Sequence, residues 1–100
     1  MDESTPLEPS DRLRLVPCAT RRLGDDLLVS AGGATRPVER LSGTGPSLWR
    51  SFGRGLTIRG AAQLLADETR TPLPEVEPHV LAFARRLVDA RLAVRADRAA

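Results

Sequence analysis

The sequence predicts an α+β fold in which a three-stranded antiparallel β-meander is followed by three helices. Short apolar runs separated by glycine-containing turns occupy residues 12–41, which is typical of strands. From Leu48 onward, apolar residues recur at helical spacing instead. A length of 100 residues corresponds to one domain. We therefore expect one small core between a sheet and a helical bundle.

The strands are predicted from turn signals. Residues 13–23 have a β-like composition and end at the turn signal Gly24-Asp25. The apolar run from Asp26 to Ser30 predicts a buried strand, and the glycines of residues 31–34 predict a hairpin after it. The third strand is then Thr35–Leu41. Pro37 has no backbone N–H, so this strand should lie at a sheet edge.

Three helices are predicted after the sheet. Leu48, Trp49 and Phe52 define a short one that begins after Ser42 or Thr44. Thr57 is a plausible N-cap for the second helix. The third is expected over residues 75–90, with an apolar stripe and with arginines near its C-terminus. This order of elements is winged-helix-like.

The ends of the chain differ in charge from its centre. Residues 1–11 contain four acidic residues and no arginine, and we expect them to form a disordered tail. The domain should span residues 12–94, followed by a C-terminal tail at 95–100. Beyond residue 11 there are fifteen arginines against nine acidic residues, a formal charge of +6. Such a domain attracts acidic partners.

No catalytic constellation is apparent, so we expect a protein that is not an enzyme and has no cofactor. Cys18 and His79 are the single cysteine and histidine, which are too few to supply a zinc site. Cys18 lies in a strand pattern typical of a buried thiol, and His79 lies in an early helical turn. The chain has no lysine and hence no Walker motif. The acidic N-terminus is unlike a signal peptide, and no segment is apolar enough to span a membrane, so we expect a cytoplasmic protein.

Several segments together resemble the PqqD-like family, also called the RiPP recognition element. Residues 38–45, VERLSGTG, are similar to the family's strand-ending V-x-x-L-N-x-T, and LWRSF at 48–52 to its I-W-x-x-L helix. LTI at 56–58 and AAQLL at 61–65 resemble its T-[VI]-x-E-[LI]-A-x-x-L helix. VLAF at 80–83 and LVDARL at 87–92 resemble the end of its third helix. The resemblance covers about residues 15–94. Ser42, Arg54, Gly60 and Arg91 depart from the pattern, Arg91 at the position of a late glycine.

The resemblance implies a function in peptide binding. Such domains bind the leader segment of a ribosomally made precursor peptide as an added strand and present it to a modifying enzyme or leader peptidase. The added strand lies between the third strand and the third helix. In this chain, the resemblance implies peptide-binding residues on the third strand and on the third helix. Those of the strand are Thr35, Arg36, Val38, Glu39, Arg40 and Leu41, and those of the helix are Val80, Phe83, Arg86 and Leu87.

The alternative function is that of a winged-helix DNA-binding transcriptional regulator. Three helices, a small sheet and positive charge are compatible with DNA binding. However, Glu75 and Glu77 lie where a recognition helix normally presents polar or basic groups. We therefore do not expect nucleic acid as the partner. A third possibility is an interaction subunit of an enzyme complex, and the sequence leaves the peptide product open.

Overall fold

Two antiparallel sheets and three helices make up the part of the chain described by the structure, a computed structural model that covers residues 6–32 and 38–96. The fold is α+β, with the predicted three-stranded meander and three helices. The elements follow one another as β1 Leu13–Leu15, β2 Ala19–Leu23, β3 Asp26–Ser30, β4 Glu39–Leu41, α1 Gly45–Gly53, α2 Ile58–Thr69, α3 Leu73–Asp89 and β5 Ala93–Arg95.

The meander consists of β2, β3 and β4 in that order. The β2–β3 turn contains Gly24 at a φ of +64°, a conformation that glycine adopts without strain. β3 has the predicted bounds, and its register places Leu28 between Arg21 on β2 and Arg40 on β4. The third strand was expected to begin at Thr35, but within the described residues β4 is only Glu39–Leu41.

Alternation along the strands gives this sheet two different faces. Val29 on β3 and Leu41 on β4 are buried against the helices. Leu28 and Arg40 alternate with them and therefore point to the opposite side, where Arg40 meets Asp26. We call this second side the outer face of the sheet. The core thus lies on one side of the meander only.

A second sheet, which was not predicted from the sequence, joins segments near the two ends of the described chain. β1 pairs antiparallel with β5, with Leu13 opposite Arg95 and Leu15 opposite Ala93. The stretch expected to form one strand from residue 13 to residue 23 is therefore divided between two sheets. β5 also extends the domain past residue 94, where a C-terminal tail was expected.

Helix α1 begins at a glycine because neighbouring elements come close to it. An added Cβ on Gly45 would lie 3.1 Å from Cβ of Leu41 and 3.3 Å from Cε1 of Phe83. Any side chain here would push α1 away from β4 and α3. Trp49 on α1 is part of the core, since only 8% of the residue is exposed.

Residues before β1 cap the start of α2. The hydroxyl of Thr57 accepts a hydrogen bond from the Gly60 amide at 2.9 Å, so the predicted N-cap is confirmed. The Ile58 and Arg59 amides donate to the backbone carbonyls of Asp11 and Pro9. Residues 8–11, expected to be part of a disordered tail, are thus hydrogen-bonded to a helix terminus that needs acceptors.

Helix α3 begins two residues earlier than expected, because Pro74 is well suited to a first helical turn. Its buried stripe consists of Val76, Val80, Ala84 and Leu87. None of the helices in residues 6–32 and 38–96 is long and apolar enough to cross a membrane.

Candidate functional site

The outer edge of β4 is the first component of the candidate site. β4 pairs with β3 on one side, and among residues 6–32 and 38–96 no strand pairs with its other side. Val38, directly before the strand, is 58% exposed. Thr35, Arg36 and Pro37, which were predicted to belong to this strand, lie outside the described residues.

Arg86 bridges α3 to this edge. One of its guanidinium nitrogens, Nη2, lies 3.4 Å from a carboxylate oxygen of Glu39 and 3.5 Å from the backbone carbonyl oxygen of Arg40. All three groups are at the surface, so the contacts are weak and easily exchanged for water or ligand. The Arg40 carbonyl is therefore accessible from the open edge, where an added strand would place a backbone N–H. We call the space between β4 and the Arg86 side of α3 the β4–α3 groove.

Phe83 is the apolar residue of α3 that lies three positions before Arg86. It is half-buried and its ring stacks on Phe52, with 6.5 Å between ring centroids and 19° between ring planes. It also approaches Gly45, which lies against Leu41 of β4. Contacts on both sides fix the ring, while its partial exposure leaves a surface for an apolar ligand group.

Arg40 does not contribute its side chain to this groove. Its Nε donates to a carboxylate oxygen of Asp26 at 2.6 Å, across the outer face of the sheet. Arg40, which was predicted as a peptide-binding residue, therefore does not offer its guanidinium to the groove. Its backbone carbonyl, not its guanidinium, faces α3.

Three other predicted site residues are part of the core. Val80, Leu87 and Leu41 have at most 1% of their surface exposed. The expectation that Val80 and Leu87 face a groove needs correction, because both are buried on a helix that packs against α2 and β5. In this structure their side chains support the groove and offer no surface to a ligand.

The solvent side of α3 carries a shallow concavity of about 450 Å³ that the sequence analysis did not single out as a site. It is lined by Pro78, Leu81, Ala82, Arg85, Arg86 and Asp89. Arg86 belongs to both the concavity and the groove. These residues are three or four apart along α3, a spacing that indicates a common helix face. That this face points to solvent follows from the packing of the opposite face, which the sequence does not give.

The chain's single cysteine and single histidine lie on different parts of the fold. Cys18 precedes β2 and is half-buried, and desolvation raises the pKa of its thiol above the ordinary value. A raised pKa lowers the thiolate fraction and so opposes nucleophilic reactivity. His79 is exposed on α3. Within the described part of the chain, no group of three or more His, Cys, Asp or Glu side chains is placed to hold a metal ion.

Comparisons of the chain with models of known protein families, with curated protein sequences and with solved structures find no match. The groove's geometry and the resemblance of the sequence motifs are thus the basis for a functional proposal.

Proposed function

We propose that this protein is a non-catalytic peptide-binding domain that holds the leader segment of a ribosomally made precursor peptide as an added strand along β4. The bound leader is then presented to a modifying enzyme or leader peptidase. The observation that carries the proposal is the outer edge of β4 beside α3, which no strand of residues 6–32 and 38–96 pairs with and where the Arg40 carbonyl accepts a hydrogen bond from Arg86.

Strand addition uses the backbone groups of such an edge for affinity and adjacent side-chain pockets for specificity. Here the Arg40 carbonyl supplies one acceptor, and the half-buried Phe83 supplies an apolar surface next to it. Arg86 must release this carbonyl when a peptide N–H takes its place. Its other donors then remain available to an acidic side chain of the leader.

The test is a titration of the isotopically labelled protein with synthetic leader peptides encoded by short reading frames beside its gene, followed by NMR. We expect amide shifts concentrated on Val38–Leu41 and on the Phe83–Arg86 turn of α3. Shifts confined to α2 or to the chain ends would contradict the proposal.

A matched pair of peptides tests the binding mode. Methylating the backbone nitrogen of alternate leader residues removes the N–H groups that face β4, whereas methylating the intervening residues removes those that face away. Because only every second residue of an added strand bonds to a given neighbour, one series should lose affinity by far more than the other. Equal losses in both series would exclude strand addition.

DNA binding, the alternative function, is tested by a parallel titration of the protein with duplex DNA. α3 exposes Glu75 and His79 in its first turns, and Glu77 is bonded to Arg59 of α2 at 3.0 Å. An acidic first turn repels phosphate. Binding to duplex DNA with no binding to any leader would overturn the peptide proposal.

A further inference from the structure

The outer face of the β2–β3–β4 sheet carries a diagonal row of apolar residues. Leu23 on β2 lies opposite Asp26 of β3, and Leu28 follows Asp26 by two residues on the same strand. Leu28 lies opposite Arg40, and Val38 is two positions before Arg40. Residues two apart in a strand share a face, so Leu23 and Leu28 lie on one side of the sheet. The same alternation, extended one residue before β4, places Val38 on that side as well.

The two outer members of this row are largely exposed, and Leu28 between them is half-buried. Leu23 is 49% exposed and Val38 is 58% exposed, the highest fractions among the large exposed hydrophobic residues of the described part. The helices cover the opposite side, where Val29 and Leu41 are buried. Isolated apolar residues on a surface are ordinary, but three neighbours across three adjacent strands form a patch.

The charges around the row determine what it binds. Arg21 lies directly opposite Leu28, is exposed, and forms no ion pair with any residue that the structure describes. Arg40 also lies on this face, where it is paired with the carboxylate of Asp26. The free charge on the face is therefore positive, and it complements an acidic group.

We propose that the outer face, consisting of Arg21, Leu23, Leu28 and Val38, docks a partner protein that presents an apolar surface bordered by acidic residues. The docking surface uses side chains on a sheet face, whereas the peptide proposal uses the backbone edge of β4. Val38 borders both surfaces, and Arg21, Leu23 and Leu28 belong to the docking face alone. The docking face itself does not rest on the proposed function. If the partner is the enzyme that receives the leader, that assignment rests on the proposed function.

A second copy of the chain fits this face less well. Two outer faces in contact would bring Arg21 of both copies into the same interface, while Asp26, the acid bonded to Arg40 on this face, is already used. Like charges at an interface weaken association. A partner with its own acidic residues avoids this repulsion.

The test begins with a photo-crosslinking amino acid placed at Leu23 of β2 in the producing cells, and at Leu64 of α2 as the control. Leu64 is also an exposed large hydrophobic residue, at 37%, but lies on a different surface. The adduct specific to position 23 is identified by mass spectrometry, and that protein is then purified and titrated. No specific adduct, or an adduct only with a second copy, lipid or nucleic acid, would overturn the proposal.

The purified partner is then titrated against surface variants. Val38→Asp and Leu23→Asp should each weaken binding about tenfold or more, whereas Leu64→Asp and Val94→Asp should change it by less than about twofold. Arg21→Glu should slow association at low salt and have little effect at high salt. Thermal melts are expected to show that all variants fold, because every substituted residue is exposed.

A final titration separates this inference from the peptide proposal. The partner should bind the complex of the protein with its leader as well as it binds the protein alone. If no leader binds at β4 while the variants of the outer face behave as expected, the peptide proposal fails and the docking face stands. If the outer-face and control variants bind the partner equally, the docking face fails, whatever the leader does.

Discussion

Arg91 adopts a backbone conformation that favours glycine. Its φ is +63°, in the left-handed region, where a Cβ costs about 1–2 kcal/mol. It follows α3 and allows the chain to turn back into β5. The family that the sequence resembles has a glycine at this position, so the departure from the motif retains the turn at an energetic cost.

Arg91→Gly should therefore raise the free energy of unfolding, by about 0.5–1 kcal/mol after the added flexibility of the unfolded chain is counted. The matched control is Arg85→Gly inside α3, which should lower that free energy by about 1 kcal/mol. Urea denaturation measures both. Destabilisation by both substitutions would contradict the argument from backbone conformation.

Cys18 should titrate at a higher pH in the folded protein than in the unfolded chain, because desolvation raises the pKa of its thiol. Alkylation by iodoacetamide, followed against pH, should show its inflection at higher pH in buffer than in concentrated urea. Well below the pKa of the unfolded chain, the thiol is protonated in both states, so Cys18 does not make the free energy of unfolding depend on pH. Above it, the free energy of unfolding falls as pH rises. Coincident inflections would contradict the burial of the thiol.

At the scale of elements, the N-terminal segment acts as a cap for α2. The carbonyls of Pro9 and Asp11 accept hydrogen bonds from Arg59 and Ile58 at 2.8 and 2.9 Å. Deleting residues 1–11 leaves these two amides without those acceptors and should lower the free energy of unfolding by about 1–3 kcal/mol.

Deletion of residues 1–5 alone is the control for this truncation. It keeps both carbonyls and should leave the denaturation midpoint almost unchanged. A similar loss of stability in the two truncated proteins would show that the cap at residues 9–11 is not responsible.

The helices were largely predictable from the sequence because their signals are local. Thr57 marks the start of α2, and Trp49 and Phe52 mark the buried side of α1. The β1–β5 sheet was not predictable in this way. Each strand has three residues, and nothing near Leu13 in the sequence indicates that Arg95 will lie opposite it.

The candidate site was predictable only in part, for a related reason. Spacing placed Val80 and Leu87 on one stripe of α3, but spacing does not state which stripe faces the core. Packing decides that question: α3 buries Val80, Ala84 and Leu87 and leaves Phe83 and Arg86 beside β4. The strand edge itself followed from the meander. The direction of the Arg40 side chain did not, because it depends on Asp26, which lies on β3 two residues from the partner of Arg40.

At the scale of the molecule, a formal net charge of +2 and fifteen arginines should steer an acidic leader to the groove. Arg86→Glu places a second carboxylate next to Glu39 and should slow association and flatten its dependence on salt. Arg54→Glu, on the exposed turn after α1, changes the net charge equally and is the control.

Stopped-flow association rates at several salt concentrations measure this effect. The two variants should differ clearly at low salt, because only one of them alters the groove. If Arg86→Glu and Arg54→Glu have the same rates and the same salt slopes, only the overall charge matters and Arg86 has no local role.

The pairing of β1 with β5 brings residue 12 and residue 96 together: the Ala96 amide donates to the Arg12 carbonyl at 2.9 Å. The start of β1 thus lies next to the last residue that the structure describes. This proximity predicts that a circular permutant, with the original ends joined by a short glycine-serine linker and new ends opened at the exposed Gly24-Asp25 turn, will still fold. Loss of the cooperative melt in that permutant would contradict it. By the same geometry, the whole domain is suited to insertion into a surface loop of a larger protein.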